Sequence, residues 1–296
     1  MLKAAVIGAN GQLGADVIRA FRAAQWQTVG FTHSDFAVED EVAVRSALAA
    51  AAPVVVVNTA AMHNVEACEA DPAAAYRVNA LGARNVARAC RSTGAYLVHI
   101  STDYVFDGRK GTPYVEEDLP CPLNAYGNTK LAGEYYVLVE CPPCAVVRTS
   151  GLYGRHPCRA KRYNFVELML KLAQERGRVR VVQDEVLTPT YTLDLARQIV
   201  KLATQRIPLG ICHATNEGSC SWYDFAAAIF ELAGIQVVLE PASPADFPGK
   251  VPRPKYSVLE NRKLKQLGLD VMRPWREALT EYLRLRGTPG GGDGFE

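Results

Sequence analysis

The sequence of 296 residues lacks the features that mark several large classes of protein. It contains no run of about eighteen apolar residues, so a membrane span is not expected. Its first residues run directly into a strand-like stretch, without the apolar region and cleavage site of a signal peptide, which predicts a cytoplasmic location. Glycine and proline number 23 and 17, and 49% of residues are hydrophobic. These values exclude collagen-like and intrinsically disordered proteins.

An excess of charge of one sign is also missing. Lys and Arg number 33 and Asp and Glu 31, for a formal charge of +2. This balance argues against a nucleic-acid partner held by bulk charge.

The eight cysteines have no repeated spacing. Without an export signal they are expected to be reduced and mostly buried. Cys141 and Cys144 form one C-x-x-C pair, which leads into a strand rather than opening a helix, and no second pair completes a zinc site. We therefore interpret the pair as structural.

Short apolar runs alternate with amphipathic stretches over the first 150 residues. The runs, rich in Val and Ile, lie at 4–7, 28–31, 54–57, 96–100 and 145–147. The stretches with helical periodicity lie at 12–24, 42–52, 73–92 and 128–140. Strands that are apolar on both faces and alternate with helices predict an α/β protein with a Rossmann-type, doubly wound parallel sheet.

The regular alternation of strands and helices ends after residue 150. A loop at 151–163 is followed by predicted helices near 165–174, 193–204, 222–233 and 275–285 and by a strand at 179–182. We predict a dinucleotide-binding domain at 1–150, to which 178–206 returns. Residues 151–177 and 207–286 are predicted to form a smaller C-terminal α/β lobe for the substrate, followed by a disordered tail at 287–296.

A glycine motif follows the first predicted strand and opens a helix. Gly8, Gly11 and Gly14 enclose Asn10, Gln12 and Leu13. Glycines allow a tight turn close to a pyrophosphate, and the helix N-terminus offers free N–H groups. An ordinary strand–helix turn is the simpler alternative, but the surrounding strand and helix favour dinucleotide binding.

The second predicted strand ends at Thr32 without the acid that often binds the adenosine ribose of NAD. Asp35 comes slightly late. The absence of a carboxylate at that place permits NADPH as well as NADH.

Tyr126 and Lys130 are four residues apart and lie on one face of a predicted helix. A nearby ammonium is expected to lower the pKa of the tyrosine, so that it can pass a proton to a carbonyl. Thr102, at the end of the fourth predicted strand, can bond the same carbonyl. A surface pair is the alternative for Tyr126 and Lys130, and an ordinary polar loop is the alternative for Thr102.

Together these motifs resemble the extended, sugar-nucleotide branch of the short-chain dehydrogenase/reductase superfamily. The order of further segments is similar to that in the dTDP-4-dehydrorhamnose reductase family. These segments lie at 101–108, 122–134, 147–150, 164–165 and 253–254. The resemblance covers almost the whole chain and implies a Rossmann-type domain with a small sugar-nucleotide lobe.

The resemblance also implies roles for individual residues. Thr102 and Tyr126 would contact the sugar carbonyl, with Lys130 beneath, and Asn79 would help to hold that lysine. Cofactor contacts are implied for Gly8, Asn10, Gly11, Gln12, Leu13, Thr32, Asp35, Phe36, Ala60, Ala61, His63, Tyr126 and Lys130. Substrate contacts are implied for Thr102, Asp103, Gly151, Asn164 and Arg253.

The chain departs from the family pattern at two places. Gly151 stands where the family usually has a tryptophan associated with packing on the sugar. The acidic residues that hold a bridging magnesium in some dimeric members are not evident, so no metal is predicted.

The implied activity is NADPH- or NADH-dependent reduction of the 4-keto group of a nucleotide-linked 6-deoxysugar, dTDP-4-dehydrorhamnose to dTDP-L-rhamnose, with a dTDP-sugar as partner and a homodimer as a compatible assembly. Sugar-nucleotide dehydratases carry Thr-Asp-Glu where this chain has Tyr104, which favours reduction. A sugar-nucleotide epimerase stays open. So does a non-catalytic NADP-binding subunit like the β subunit of methionine adenosyltransferase.

Overall fold

A computed structural model describes the protein at residues 1–156, 163–247 and 251–286. The predicted disordered tail at 287–296 lies outside these ranges, as do residues 157–162 of the predicted loop. The strands are β1 (Lys3–Ile7), β2 (Gln27–Phe31), β3 (Val55–Asn58), β4 (Tyr96–Thr102), β5 (Cys144–Thr149), β6 (Leu152–Tyr153), β7 (Arg178–Val182), β8 (Val186–Leu187), β9 (Thr190–Tyr191), β10 (Gly210–His213), β11 (Cys220–Ser221) and β12 (Val238–Ala242). The α-helices are α1 (Gln12–Ala23), α2 (Glu41–Ala51), α3 (Val65–Ala70), α4 (Pro72–Tyr76), α5 (Ala83–Thr93), α6 (Ala125–Glu140), α7 (Phe165–Arg176), α8 (Thr192–Gln205), α9 (Trp222–Ala233), α10 (Arg262–Gln266) and α11 (Trp275–Leu285).

Six strands form one parallel sheet in the order β2-β1-β3-β4-β5-β10. Val6 of β1 lies opposite Gly30 of β2 on one side and Val57 of β3 on the other. The strand order therefore runs outward in both directions from the boundary between β1 and β3, which confirms the predicted doubly wound α/β fold. In such sheets a crevice for ligands opens beyond the carboxyl ends of the strands at this boundary.

Helices cover both faces of the sheet, which is why its central strands are apolar on both sides. Val6 and Val98 belong to the core shared with α1 and α8, whereas Val56 and Leu97 belong to the core shared with α2 and α5. Each such buried side chain stabilises the fold by roughly 1.5–3 kcal/mol relative to exposure. The two packed faces fix the strand ends from which the site is built.

The helical stretch predicted at 73–92 changes geometry partway along in the structure. A π-helical segment, Arg77–Gly82, separates α4 from α5. The segment is closely packed: a Cβ on Gly82 would come within 2.6 Å of Val38 Cγ2, and a Cβ on Gly133 of α6 would come within 2.3 Å of the Asn79 carbonyl oxygen. The predicted helical stretch at 73–92 is thus helical in the structure, with π rather than α geometry over Arg77–Gly82.

The second half contributes to both the sheet and a separate cluster. β7 pairs in parallel with β12 outside the large sheet, and the core around these strands includes residues of α7, α9 and α11. α8 packs against the large sheet. β10, which lies after residue 206, adds a strand to that sheet beside β5. Sequence periodicity predicted neither β10 nor β12, and the division into domains stays a prediction.

No helix in the described ranges is both long and apolar enough to cross a membrane. Seven cysteines in the same ranges are free, and all but Cys121 are buried. The eighth, Cys158, lies outside them.

Candidate functional site

A cleft of about 1000 Å³ opens beyond the carboxyl ends of β1, β3, β4 and β5. Elements of the C-terminal half close its other side. Among the predicted site residues, those lining the cleft are Gly8, Asn10, Gly11, Gln12, Leu13, Thr32, Phe36, Ala60, Ala61, His63, Thr102, Asp103, Tyr126, Lys130, Gly151, Asn164 and Arg253. Asp35 is not part of the lining. The structure thus brings together residues that are far apart in sequence, while their individual roles stay predictions.

The glycine motif forms the turn between β1 and α1. Gly8 has φ +81°, and a Cβ there would come within 2.7 Å of Thr59 Oγ1. A Cβ on Gly14 would lie 2.2 Å from the Gly8 carbonyl oxygen. α1 begins directly after Gly11, which provides no side-chain cap. The first-turn N–H groups of α1 are therefore left for an anion, and the cradle fits a dinucleotide pyrophosphate.

The end of β2 is arranged differently from the sequence expectation. Asp35 Oδ2 accepts from the Thr32 N–H at 2.7 Å and from the Thr32 hydroxyl at 2.9 Å. These hydrogen bonds lower the pKa of Asp35 and engage its carboxylate in a local turn. Phe36 lines the cleft, as does Glu39, which sequence reasoning missed. Glu39 belongs to none of the sequence motifs, so nothing in the sequence indicated that it lines the cleft.

Tyr126 and Lys130 lie in the first two turns of α6. Asn124 caps this helix, since its side chain accepts from the Gly127 N–H at 2.9 Å. Thr102 lies close enough to Tyr126 to oppose the rise that burial causes in the pKa of its hydroxyl, and the Tyr104 ring meets the Tyr126 ring edge to face at 5.8 Å. The threonine at the end of β4 and the tyrosine of α6 therefore face the same part of the cleft.

The expected lowering of the Tyr126 pKa by Lys130 is wrong for this structure. Burial raises the pKa of Tyr126, and contact with Thr102 opposes the rise. Lys130 Nζ instead donates to the Ile100 carbonyl oxygen at 2.6 Å, which directs the ammonium towards the β4 backbone. Burial lowers the pKa of Lys130 to about 8, while Glu134 raises it.

A buried ion pair lies one turn beyond Lys130. Glu134 accepts from Arg148 Nε at 2.9 Å and Arg148 Nη2 at 2.7 Å, and the Ser101 hydroxyl donates to Glu134 at 2.5 Å. All three side chains are buried. This bidentate pair joins α6 to β4 and β5 and fixes the helix that presents Tyr126 and Lys130.

Asn79 does not bond the lysine. Its side chain accepts from the Met62 N–H at 2.8 Å and donates to the Met62 carbonyl at 2.9 Å and to the Thr129 hydroxyl at 3.1 Å. The π-helical segment thus holds the loop after β3 and the residue preceding Lys130.

Asp103 is buried in the wall of the cleft. It accepts from the hydroxyls of Ser150 at 2.8 Å, Ser257 at 2.6 Å and Thr102 at 3.1 Å. Burial raises the pKa of Asp103 to about 6, and the hydrogen bonds oppose the rise. The carboxylate ties β4 and β5 to the segment that carries Ser257.

Gly151 has φ +54°, and a Cβ there would lie 2.7 Å from Leu187 Cδ1. A tryptophan would therefore require both backbone strain and movement of Leu187. Trp222 of α9 lines the cleft instead, with its ring 4.5 Å from that of Phe165. Sequence reasoning missed Trp222, because no motif connects it to the site.

Two further predicted substrate residues have protein partners. Asn164 caps α7, accepting from the Glu167 N–H at 3.0 Å, and donates to the Gly154 carbonyl at 2.8 Å. Arg253 pairs with Glu66 at 2.5 Å. In the described ranges no group of three or more His, Cys, Asp and Glu side chains is arranged to hold a metal ion.

The parallel sheet, the glycine turn and the cleft with Thr102, Tyr126 and Lys130 define a protein of the extended short-chain dehydrogenase/reductase type. Residues 2–286 match the family described as RmlD substrate binding domain, and the chain belongs to that family.

Individual relatives agree with this assignment. The spore coat polysaccharide biosynthesis protein SpsK of Bacillus subtilis is 40% identical over 97% of this chain and 98% of its own. The crystal structure of a dTDP-4-dehydrorhamnose reductase from Clostridium acetobutylicum has a TM-score of 0.91 and 41% identity, and covers 96% of this chain and 99% of its own. That of the Bacillus anthracis reductase in complex with NADP has a TM-score of 0.91 and 36% identity, with the same coverage.

Proposed function

We propose that the chain is an NADPH- or NADH-dependent oxidoreductase that reduces the 4-keto group of a dTDP-linked 6-deoxysugar, converting dTDP-4-dehydrorhamnose to dTDP-L-rhamnose. The observation that carries the proposal is the convergence of Thr102, Tyr126 and Lys130 in one cleft with the glycine turn. Similarity to reductases named for this substrate supports the choice of sugar nucleotide.

The proposed cofactor site extends from the glycine turn to Phe36. The first-turn N–H groups of α1 bind the pyrophosphate, and Lys130 donates to the nicotinamide ribose. The end of β2 carries Thr32 in place of an acid, which is compatible with both cofactors. When bound, reduced nicotinamide supplies hydride.

The proton comes from the protein. Tyr126 donates its hydroxyl proton to the carbonyl oxygen of the sugar as that oxygen gains negative charge, and Thr102 donates a hydrogen bond to the same oxygen. The raised pKa of Tyr126 keeps it protonated before reaction. General acid catalysis of this kind contributes roughly 10²–10⁴-fold.

The rest of the sugar nucleotide lies against the C-terminal half. Arg253 presents its guanidinium to the diphosphate, while Trp222 and Asp103 also line the cleft. In this proposal residues 1–150 bind the cofactor and the C-terminal lobe binds the sugar nucleotide. A cytoplasmic location and a homodimer stay predictions.

The test is consumption of NADPH or NADH by the wild-type protein, followed by absorbance, with dTDP-4-dehydrorhamnose and with other 4-keto sugar nucleotides. We expect oxidation that depends on the sugar nucleotide and yields dTDP-L-rhamnose. Binding of NADPH without oxidation on any of these substrates would contradict the proposal and favour the regulatory alternative. Inversion of a sugar centre without net oxidation would favour the epimerase.

A further inference from the structure

One carboxylate lies in the cleft at the guanidinium proposed to bind the substrate diphosphate. Glu66, at the start of α3, accepts from Arg253 Nη2 at 2.5 Å, and both residues line the cleft. A diphosphate and a carboxylate are both anions that seek the same donors. The two cannot occupy the same face of Arg253 together without strong repulsion.

Arg253 is fixed in place more firmly than its partner. It stands between Pro252 and Pro254, and the Pro252 carbonyl accepts from Asn124 Nδ2 at 2.9 Å. Because Asn124 also caps α6, the arginine is anchored to the helix that carries Tyr126. The Arg253 side chain is 20% exposed, against 48% for Glu66. Glu66 is therefore the partner that can turn into solvent.

The arginine also has an unused donor. Arg253 Nε is buried and has no hydrogen-bond partner among the described residues. A guanidinium binds phosphate oxygens through two parallel N–H donors, and Glu66 engages only Nη2 in the structure. The pairing with Glu66 thus leaves the bidentate capacity of Arg253 incomplete.

We infer that Glu66 sets the affinity for the sugar nucleotide by competing with its diphosphate for Arg253. This inference rests on the proposed function. Glu66 pairs with the arginine in the structure, and substrate binding separates the pair and exposes Glu66 to water. Glu66 is an affinity-determining residue and takes no part in proton or hydride transfer.

The test is calorimetric titration of dTDP into the protein saturated with NADP⁺. We compare wild type, Glu66→Gln, Arg253→Ala and the double variant. Glu66→Gln keeps the size of the side chain and removes its charge, so the Kd for dTDP should fall roughly three- to tenfold. Arg253→Ala should raise the Kd, and adding Glu66→Gln to it should cause no further gain, because the competition acts through the arginine.

Glu117→Gln is the matched control. Glu117 also pairs with an arginine, Arg262, at 3.9 Å, but does not line the cleft. The Kd of Glu117→Gln for dTDP should equal that of wild type. Raising the salt concentration should narrow the difference between wild type and Glu66→Gln, since the exposed ion pair is screened.

An unchanged or higher Kd in Glu66→Gln would overturn the inference, as would an equal gain in the Arg253→Ala background. Failure to bind dTDP in both wild type and Glu66→Gln would also overturn it. The titration needs no turnover, so the reductase proposal is decided separately. If Glu66→Gln binds dTDP more tightly but wild type does not oxidise NADPH, the competition stands and the reductase proposal fails.

Discussion

Two opposing effects act on the pKa of Lys130, burial and the nearby carboxylate of Glu134, and neither could be inferred from its spacing to Tyr126. Its ammonium is buried and donates to the Ile100 carbonyl at 2.6 Å. Burial lowers its pKa to about 8, whereas the carboxylate of Glu134 favours the charged form. The sequence predicted a lysine close to the tyrosine, but the ion pair behind it depends on contacts between α6 and β5 that have no local sequence signal.

Lys130→Met keeps an unbranched apolar stem and removes the charge. We expect the Kd for NADPH to rise about tenfold, because the proposed hydrogen bond from the ammonium to the nicotinamide ribose is lost. Turnover should fall about 100-fold, because the cofactor is then no longer held in position beside Tyr126. Initial rates and fluorescence titration of NADPH measure the two effects. Lys201→Met, at a lysine that does not line the cleft, serves as control. Loss of turnover with unchanged NADPH affinity would contradict the ribose contact.

Asp103→Asn tests the buried carboxylate through pH. Burial raises the folded pKa of Asp103 from 3.8 to about 6, so between these values the folded protein binds more protons than the unfolded chain. The contribution of Asp103 to stability is therefore present at low pH and is lost as pH rises through about 4 to 6. The asparagine variant lacks this loss, which amounts to at most about 3 kcal/mol.

Urea unfolding of both proteins at several pH values between 4 and 7 checks this expectation. The free energy of unfolding of Asp103→Asn should improve relative to wild type as pH rises. A difference that stays constant across the range would show that Asp103 does not titrate there.

At the scale of elements, the π-helical segment Arg77–Gly82 packs closely against α6. The carbonyl oxygen of Asn79 approaches α6 so closely at Gly133 that a Cβ there would be 2.3 Å away. Gly133→Ala must push the segment and α6 apart. We expect the free energy of unfolding to fall by roughly 1–3 kcal/mol. Turnover should fall as well, because α6 carries Tyr126 and Lys130.

Chemical denaturation and NADPH oxidation measure the two changes in Gly133→Ala. Tyr135→Ala, on the exposed side of the same helix, is the control, and its stability should change by less than about 0.5 kcal/mol. If the free energy of unfolding of Gly133→Ala equals that of wild type, the π-helical segment can move away from the added methyl group without loss of stability.

Strong periodicity made the first five strands and the flanking helices predictable from sequence. The failures have physical causes. β10 is only Gly210–His213 and is a strand because β5 provides a partner. The π-helical segment differs from an α-helix in its hydrogen bonding, which cannot be seen in hydrophobic periodicity.

At the scale of the whole molecule, the site belongs to two parts of the chain. The glycine turn and the strand ends could be predicted, because consecutive elements of a doubly wound sheet place them at one edge. Trp222, Glu66 and Ser257 could not, since they enter the cleft through long-range packing. Ser257 reaches Asp103 at 2.6 Å, which joins the C-terminal segment to the end of β4.

Ser257→Ala tests the hydrogen bond that joins the C-terminal segment to the end of β4. The variant removes one hydrogen bond to a buried carboxylate, so we expect a loss of roughly 1–3 kcal/mol in the free energy of unfolding. The KM for the sugar nucleotide should rise, because the segment that carries Arg253 lies next to Ser257, while the Kd for NADPH should not change. Thermal unfolding and steady-state kinetics test both effects, and an altered NADPH affinity with unchanged KM would argue against this division of the cleft.

The most direct test of the proposed reductase is NADPH oxidation by Tyr126→Phe with dTDP-4-dehydrorhamnose. The variant keeps the ring that packs against Tyr104 and removes only the hydroxyl, so folding and NADPH binding should persist. Turnover should fall by about 100-fold or more, the usual effect of losing a general acid. Turnover at the wild-type rate would contradict the assignment of Tyr126 as the proton donor.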